Sequence, residues 1–217
     1  MREPLVSRIL YRGIDPSRFD AGQPGREWRG RLLCLGRIDP RKGVAVAIRA
    51  LAELEDCTMR VVGDGDRAHL AELEALAVEL GLGDRVVFER VPGDHVPAIL
   101  AEADALLFPV QWEEPWGLVP LEAMASGTPV VATGTGGSGE YLADGENSLI
   151  YTPRDDPAAL AGAVARLRDP ALRDQLRAGG LETAGRFSEA GFNAGVAAAI
   201  AEAVARKRPR PGPGARR

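Results

Sequence analysis

The feature that most constrains this chain is an alternation of short apolar runs with longer segments of helical periodicity. The runs are Val6–Tyr11, Arg31–Leu35, Thr58–Val62, Val86–Phe88, Ala105–Pro109, Pro129–Ala132 and Ser148–Tyr151. Between them, segments such as Val44–Leu54 and Leu70–Leu80 repeat apolar residues at three- and four-residue spacing. Strand–helix–strand repetition requires crossover connections, which are right-handed and build a parallel sheet with helices on both faces. The central runs lack polar alternation, as strands covered on both sides do. The expectation is an α/β, Rossmann-like three-layer domain with a mainly parallel sheet of about six strands. Helices alone follow the last run. Asp156 and Pro157 open one, Asp169-Pro170 ends it and starts another, and Ser188 caps a long Ala-rich helix reaching towards Arg206.

A chain of 217 residues buries one good core. Residues 1–205 therefore read as one domain, and the basic stretch 206–217 (RKRPRPGPGARR), without apolar residues, as a disordered tail. The net charge of −4 argues against a general nucleic-acid binder, which needs a basic face. Cys34 lies inside an apolar run, Cys57 is the only other cysteine, and His69 and His95 lack ligand-like neighbours, so no metal site is expected. Met1–Pro4 lacks the apolar stretch of a signal peptide and no segment is long enough to span a bilayer, so a cytoplasmic location without stable membrane insertion is expected.

Ligands of open parallel sheets bind beyond the carboxyl ends of the strands. Four loops in that position carry unusual chemistry. In Gly36–Gly43 (GRIDPRKG), glycine permits close backbone approach while Arg37 and Lys42 can converge on one anion; equally, Arg41 or Lys42 can pair with Asp39 in a solvated loop. Gly63-Asp64-Gly65-Asp66-Arg67-Ala68 matches the G-x-G-x-x-A dinucleotide fingerprint, with Glu89 available as a ribose acid, so an NAD-binding oxidoreductase is a rival. Against it, Asp64 and Asp66 place two carboxylates where a pyrophosphate would lie. The third loop, Trp112–Pro129, holds Glu114 before a helix and Glu122 inside it. Both suit hydroxyl binding, but Glu122 with Ser126 also fits a solvated stripe, and Glu114 a simple helix-dipole partner. In the fourth, Thr133–Glu140, dense glycines can turn N–H groups towards a ligand or form a linker.

Taken in order, these segments resemble the C-terminal, donor-binding domain of GT-B-fold retaining glycosyltransferases, family 4. The resemblance rests on Glu-x7-Glu (Glu114 to Glu122) within EPWGLVPLEAMASGTPVVAT, flanked by GRIDPRKGV, MRVVGDGD, ADALLFPV and GTGGSGEYLADGENSLIY, with ILYRGIDPSRF like the segment leaving the family's N-terminal domain. It covers roughly residues 6 to 200. The chain differs in lacking a glycine in Phe88–Val91 and in having Ser148 where the family often has glycine. The resemblance implies catalytic roles for Arg37 and Lys42 on the donor diphosphate and for Glu114 on the transferred sugar. It also implies substrate contacts from Gly36, from Arg90 and Val91 on the base, from backbone N–H groups of Gly117, Leu118 and Val119 on the distal phosphate, and from Glu122 on the ribose. No metal or other cofactor is implied; the partner molecule is a nucleotide-sugar, a UDP-sugar favoured, supplying a hexosyl-type group. Because the family's N-terminal acceptor-binding domain has no counterpart before Val6, such a domain or separate subunit is an expected partner, and turnover by the chain alone is not expected. The alternative is a non-catalytic nucleotide-sugar binder or regulatory partner. In a two-domain enzyme the donor lies between the domains, so Trp112, Trp116 and the last helix are candidates for contact with that partner.

Overall fold

Along β1 (Arg31–Leu35), Leu32 and Cys34 enter one apolar layer and Leu33 the other, the two-residue period of a strand covered on both faces. The same division recurs in β2 (Thr58–Val62), where Met59 and Val61 oppose Val62, and in β4 (Ala105–Phe108), where Ala105 and Leu107 oppose Leu106 and Phe108. The computed structural model describes residues 8–207. With β3 (Val86–Glu89), β5 (Val130–Ala132) and β6 (Leu149–Ile150), these strands form a wholly parallel six-stranded sheet of order β3-β2-β1-β4-β5-β6. The expected Rossmann-like α/β fold is the one observed.

Helices fill both faces. On one, α1 (Val44–Leu51) and α2 (Arg67–Glu79) contribute Ala47, Ile48, Leu51 and Leu73, joined by Leu160 and Val164 of α5 (Pro157–Arg166). On the other, α3 (Val96–Glu102) and α4 (Leu118–Ala125) contribute Leu100, Leu121 and Met124. The aspartate–proline signals act as expected: Asp156 accepts from the Ala158 N–H to start α5, and Asp169 from the Ala171 N–H to start α6 (Pro170–Arg186). Ser188 Oγ accepts from the Gly191 N–H at the start of α7 (Glu189–Lys207). The backbone of α7 carries on through Lys207; the rest of the basic tail lies outside the described residues. Among the described residues no helix is long and apolar enough to cross a membrane.

One expected strand is absent. Val6 and Ser7 lie outside the described residues, and residues 8–11 of the Val6–Tyr11 run pair with no strand. They are extended alongside α7: Arg8 pairs with Glu202 at 3.0 Å, Leu10 packs on Gly195, and Ile14 bridges to Ser188. The lengths agree, since six extended steps from Arg8 to Ile14 span about 20 Å and fourteen helical ones from Ser188 to Glu202 about 21 Å. Ile9, 68% exposed, confirms that this apolar run is not a sandwiched strand.

At the amino ends of the strands, opposite the functional loops, Asp104 is buried. Its carboxylate accepts from the Arg29 and Arg31 N–H groups and from both ends of the Arg31 guanidinium. This pins the start of β1 to the start of β4.

Candidate active site

The strand order changes direction between β1 and β4, so the loops following these two strands diverge and open a crevice. In the loop after β1, Asp39 caps a short 3-10 turn and receives the Arg41 guanidinium at 3.0 and 3.1 Å, which holds its carboxyl below the usual range. Of the two pairings the sequence offered Asp39, Arg41 takes it. Lys42 is left to cross the crevice, where its Nζ donates to Glu114 Oε2 at 2.7 Å. The close approach is made possible by Gly43, in the left-handed region at φ +69°, where a Cβ would lie 1.9 Å from the Pro109 carbonyl oxygen. Gly36, the exposed Arg37 and Lys42 line one small cavity between β1 and β4 with Phe108 and Pro109.

Glu114 is buried, 8% exposed, and its Oε2 also accepts from Trp112 Nε1 at 3.0 Å. Trp112 in turn carries the Arg41 guanidinium 4.5 Å over its ring. Gly117 starts α4 at φ +79°, with its carbonyl held by the Tyr141 hydroxyl. Leu118 and Val119 occupy the first turn of α4, whose N–H groups have no intrahelical acceptor. Val119 is the nearest side chain to the open side of Gly36, at 4.0 Å from where a Cβ would sit. Thus Gly36, Arg37, Lys42, Glu114 and Val119 are brought together, with Gly117 and Leu118 adjoining them.

Glu122 is not part of a solvated stripe. Ser126 is fully buried and its Oγ donates to the Glu122 carbonyl, while Glu122 lines a cavity of about 220 Å³ with Leu118, Arg18, Glu189 and Asn193. Burial raises the Glu122 carboxyl above its ordinary value, opposed by the charge of Arg18. Arg18 also donates to the Gly93 carbonyl, linking this cavity to the loop after β3. Arg18 lies within the ILYRGIDPSRF segment, but no sequence motif assigned it a role; its place beside Glu122 depends on the path of residues 8–19 across the molecule. Arg90 is exposed and paired with Asp64 at 2.9 Å, and Val91 packs against the second apolar layer, so neither touches the Lys42–Glu114 pair.

The two remaining glycine-rich loops have a packing role. A Cβ on Gly63 would strike the Gly36 carbonyl and one on Gly65 the Ile38 carbonyl, so the fingerprint-like glycines support the loop after β1. Glu89, the acid a dinucleotide site would use, is paired with Arg60. Likewise, a Cβ on Gly136 or Gly137 would meet the backbone of Glu114 or Pro115, and the Gly137 N–H donates to the Glu114 carbonyl. The loop after β5 therefore buttresses the Glu114 loop, and the Gly137 N–H faces no ligand. The two half-buried tryptophans make contacts within the domain: Trp116 stacks on Tyr11 at 4.5 Å and donates to the Arg12 carbonyl, and Trp112 donates to Glu114. Among the described residues no cluster of side chains is suited to hold a metal ion.

The family model for glycosyl transferases group 1 matches residues 29–169. The chain is 35% identical to the D-inositol 3-phosphate glycosyltransferase of Acidothermus cellulolyticus, over 95% of this chain and 50% of that protein. It is 37% identical to the GDP-mannose-dependent alpha-(1-6)-phosphatidylinositol monomannoside mannosyltransferase of Mycolicibacterium smegmatis, over 80% of this chain and 49% of that one. The chain thus spans about half the length of the curated relatives it matches. Among solved structures it resembles sucrose-phosphate synthase of Thermosynechococcus elongatus, with a TM-score of 0.84 and 29% identity over 92% of this chain and 53% of that chain. It also resembles HepE of Anabaena in complex with UDP and glucose, with a TM-score of 0.82 and 26% identity over 90% of this chain and 57% of that one. The family model and these relatives show that the chain belongs to the group 1 glycosyl transferases.

Proposed function

We propose that the chain is the donor-binding domain of a retaining, metal-independent glycosyltransferase of family 4, using a nucleoside-diphosphate hexose, a UDP-sugar favoured. The observation that carries this reading is the Lys42–Glu114 pair at 2.7 Å across the crevice, beside the open end of α4. A cation, a carboxylate and free helix N–H groups together match a ligand that joins a diphosphate to a hydroxylated ring. Arg37, Lys42 and the α4 end would hold the diphosphate and stabilise the charge it gains as the glycosidic bond breaks. Glu114 would accept from hydroxyls of the transferred sugar and Glu122 from the ribose, with the base towards Arg90 and Val91. In the proposed retaining step, the acceptor oxygen bonds to the anomeric carbon on the face the diphosphate leaves, and the acceptor proton passes to a departing diphosphate oxygen. The acceptor would be supplied by a domain equivalent to the part of the relatives that this chain does not match. A cytoplasmic location belongs to the same proposal, supported by two buried thiols, Cys34 and Cys57, that form no disulfide.

Calorimetric titration with UDP-, GDP-, ADP- and dTDP-sugars tests the proposal, with NAD as the control for the fingerprint. The expected result is binding of one donor class, weakened by about 1–3 kcal/mol in Lys42→Ala, as for loss of a charge-assisted contact. Glu122→Ala is expected to weaken the same donor. Binding of none of these donors would overturn the proposal, and unchanged affinity in both variants would overturn the site.

A further inference from the structure

Lys42 and Trp112 reach the same oxygen of Glu114. Nζ donates to Oε2 at 2.7 Å and the indole Nε1 donates to Oε2 at 3.0 Å. Two donors on one oxygen fix the plane and rotation of the carboxylate and leave Oε1 for another partner. Trp112 is itself held at its ring and at its backbone. Its ring lies under the Arg41 guanidinium, Arg41 is locked to Asp39, and the Trp112 carbonyl accepts from Thr135 Oγ1 at 2.9 Å. Ring and backbone of Trp112 together therefore join the loops after β1, β4 and β5 around one buried carboxylate.

We infer that Trp112 is a positioning residue for recognition of the transferred sugar. Its N–H orients Glu114 so that Oε1 accepts from a sugar hydroxyl, while it makes no contribution to the nucleotide. The inference rests on the proposed role of Glu114. A carbonyl-like acceptor could not take this place, because Oε2 is itself an acceptor and needs a donor such as the indole N–H. The bond cannot be supplied by Lys42 alone, since a flexible ammonium on a single oxygen leaves the carboxylate free to rotate about it.

Trp112→Phe removes the N–H and keeps an aromatic face for Arg41. The quantity to measure is the affinity gained when the sugar is present: UDP-glucose against UDP, and GDP-mannose against GDP, on the wild-type chain and the variant. The expected result is unchanged binding of the free nucleotide and a drop of roughly three- to tenfold in the sugar-dependent gain. Far-ultraviolet circular dichroism and the unfolding midpoint verify that the variant folds. In a Glu114→Gln background, Trp112→Phe is expected to cause no further loss of the sugar-dependent gain, because the two residues act as one unit. An equal loss of nucleotide and nucleotide-sugar affinity, an unchanged gain, or a full additional loss in the Glu114→Gln background would overturn the inference. Failure of every nucleotide to bind the wild-type chain would overturn both this inference and the proposed function, whereas wild-type binding with an unaltered variant overturns this inference alone.

Discussion

Glu122 is the residue whose environment departs furthest from what its neighbours in sequence suggest. A carboxylate four positions before a serine on a helix fits a wet stripe, yet Ser126 is fully buried and Glu122 faces a cavity under the opposing charge of Arg18. Its carboxyl is raised by burial, so above its folded pKa the ionised group lowers stability. That penalty is relieved as pH falls through the raised pKa. Glu122→Gln is therefore expected to unfold at a higher temperature than wild type at about pH 7.5, with the difference shrinking as pH falls through the raised pKa towards the ordinary glutamate range of about 4. Calorimetric melting across this range measures it, and a difference that does not change with pH would contradict it. The partner of Lys42 was equally hidden: Asp39 lies three residues away and Glu114 seventy-two, and only the adjacency of β1 and β4 brings the latter within 2.7 Å. The chemistry of the pair was legible in residue types; the pair was not.

At the scale of elements, β1 and β2 matched their expected bounds, Arg31–Leu35 and Thr58–Val62, because each carries apolar residues for both layers of the core. Val6–Tyr11 has the same appearance, but an apolar run carries no record of what it packs against, and here the partner is a helix. The glycine-rich loops show the same limit. Gly136 and Gly137 permit close approach as expected, but to the backbone of the Glu114 loop. A Cβ at Gly137 would come within 2.0 Å of the Pro115 carbonyl oxygen, so Gly137→Ala must push the two loops apart. The expected cost is about 1–3 kcal/mol in urea unfolding, together with loss of nucleotide-sugar binding; full stability with full binding would refute the buttressing role.

For the molecule as a whole, the two ends of the sheet have different tasks. The carboxyl ends hold the candidate site, while the amino ends are held by Asp104, which is 6% exposed and satisfied by Arg29 and Arg31. Asp104→Ala leaves those donors unmet and is expected to cost about 2–4 kcal/mol, less than a fully buried pair because Arg31 is partly solvated. Urea denaturation checks this, with nucleotide affinity at saturating stability unchanged because the residue lies far from the crevice along the strands. The segment that failed to form a strand has its own consequence. Arg8 pairs with Glu202 and Ile14 with Ser188, while Tyr11 and the Arg12 carbonyl grip Trp116, two residues beyond Glu114. In mechanical terms, both ends of the described chain share a single mooring, and it is fastened to the loop that carries Glu114, away from the rigid sheet.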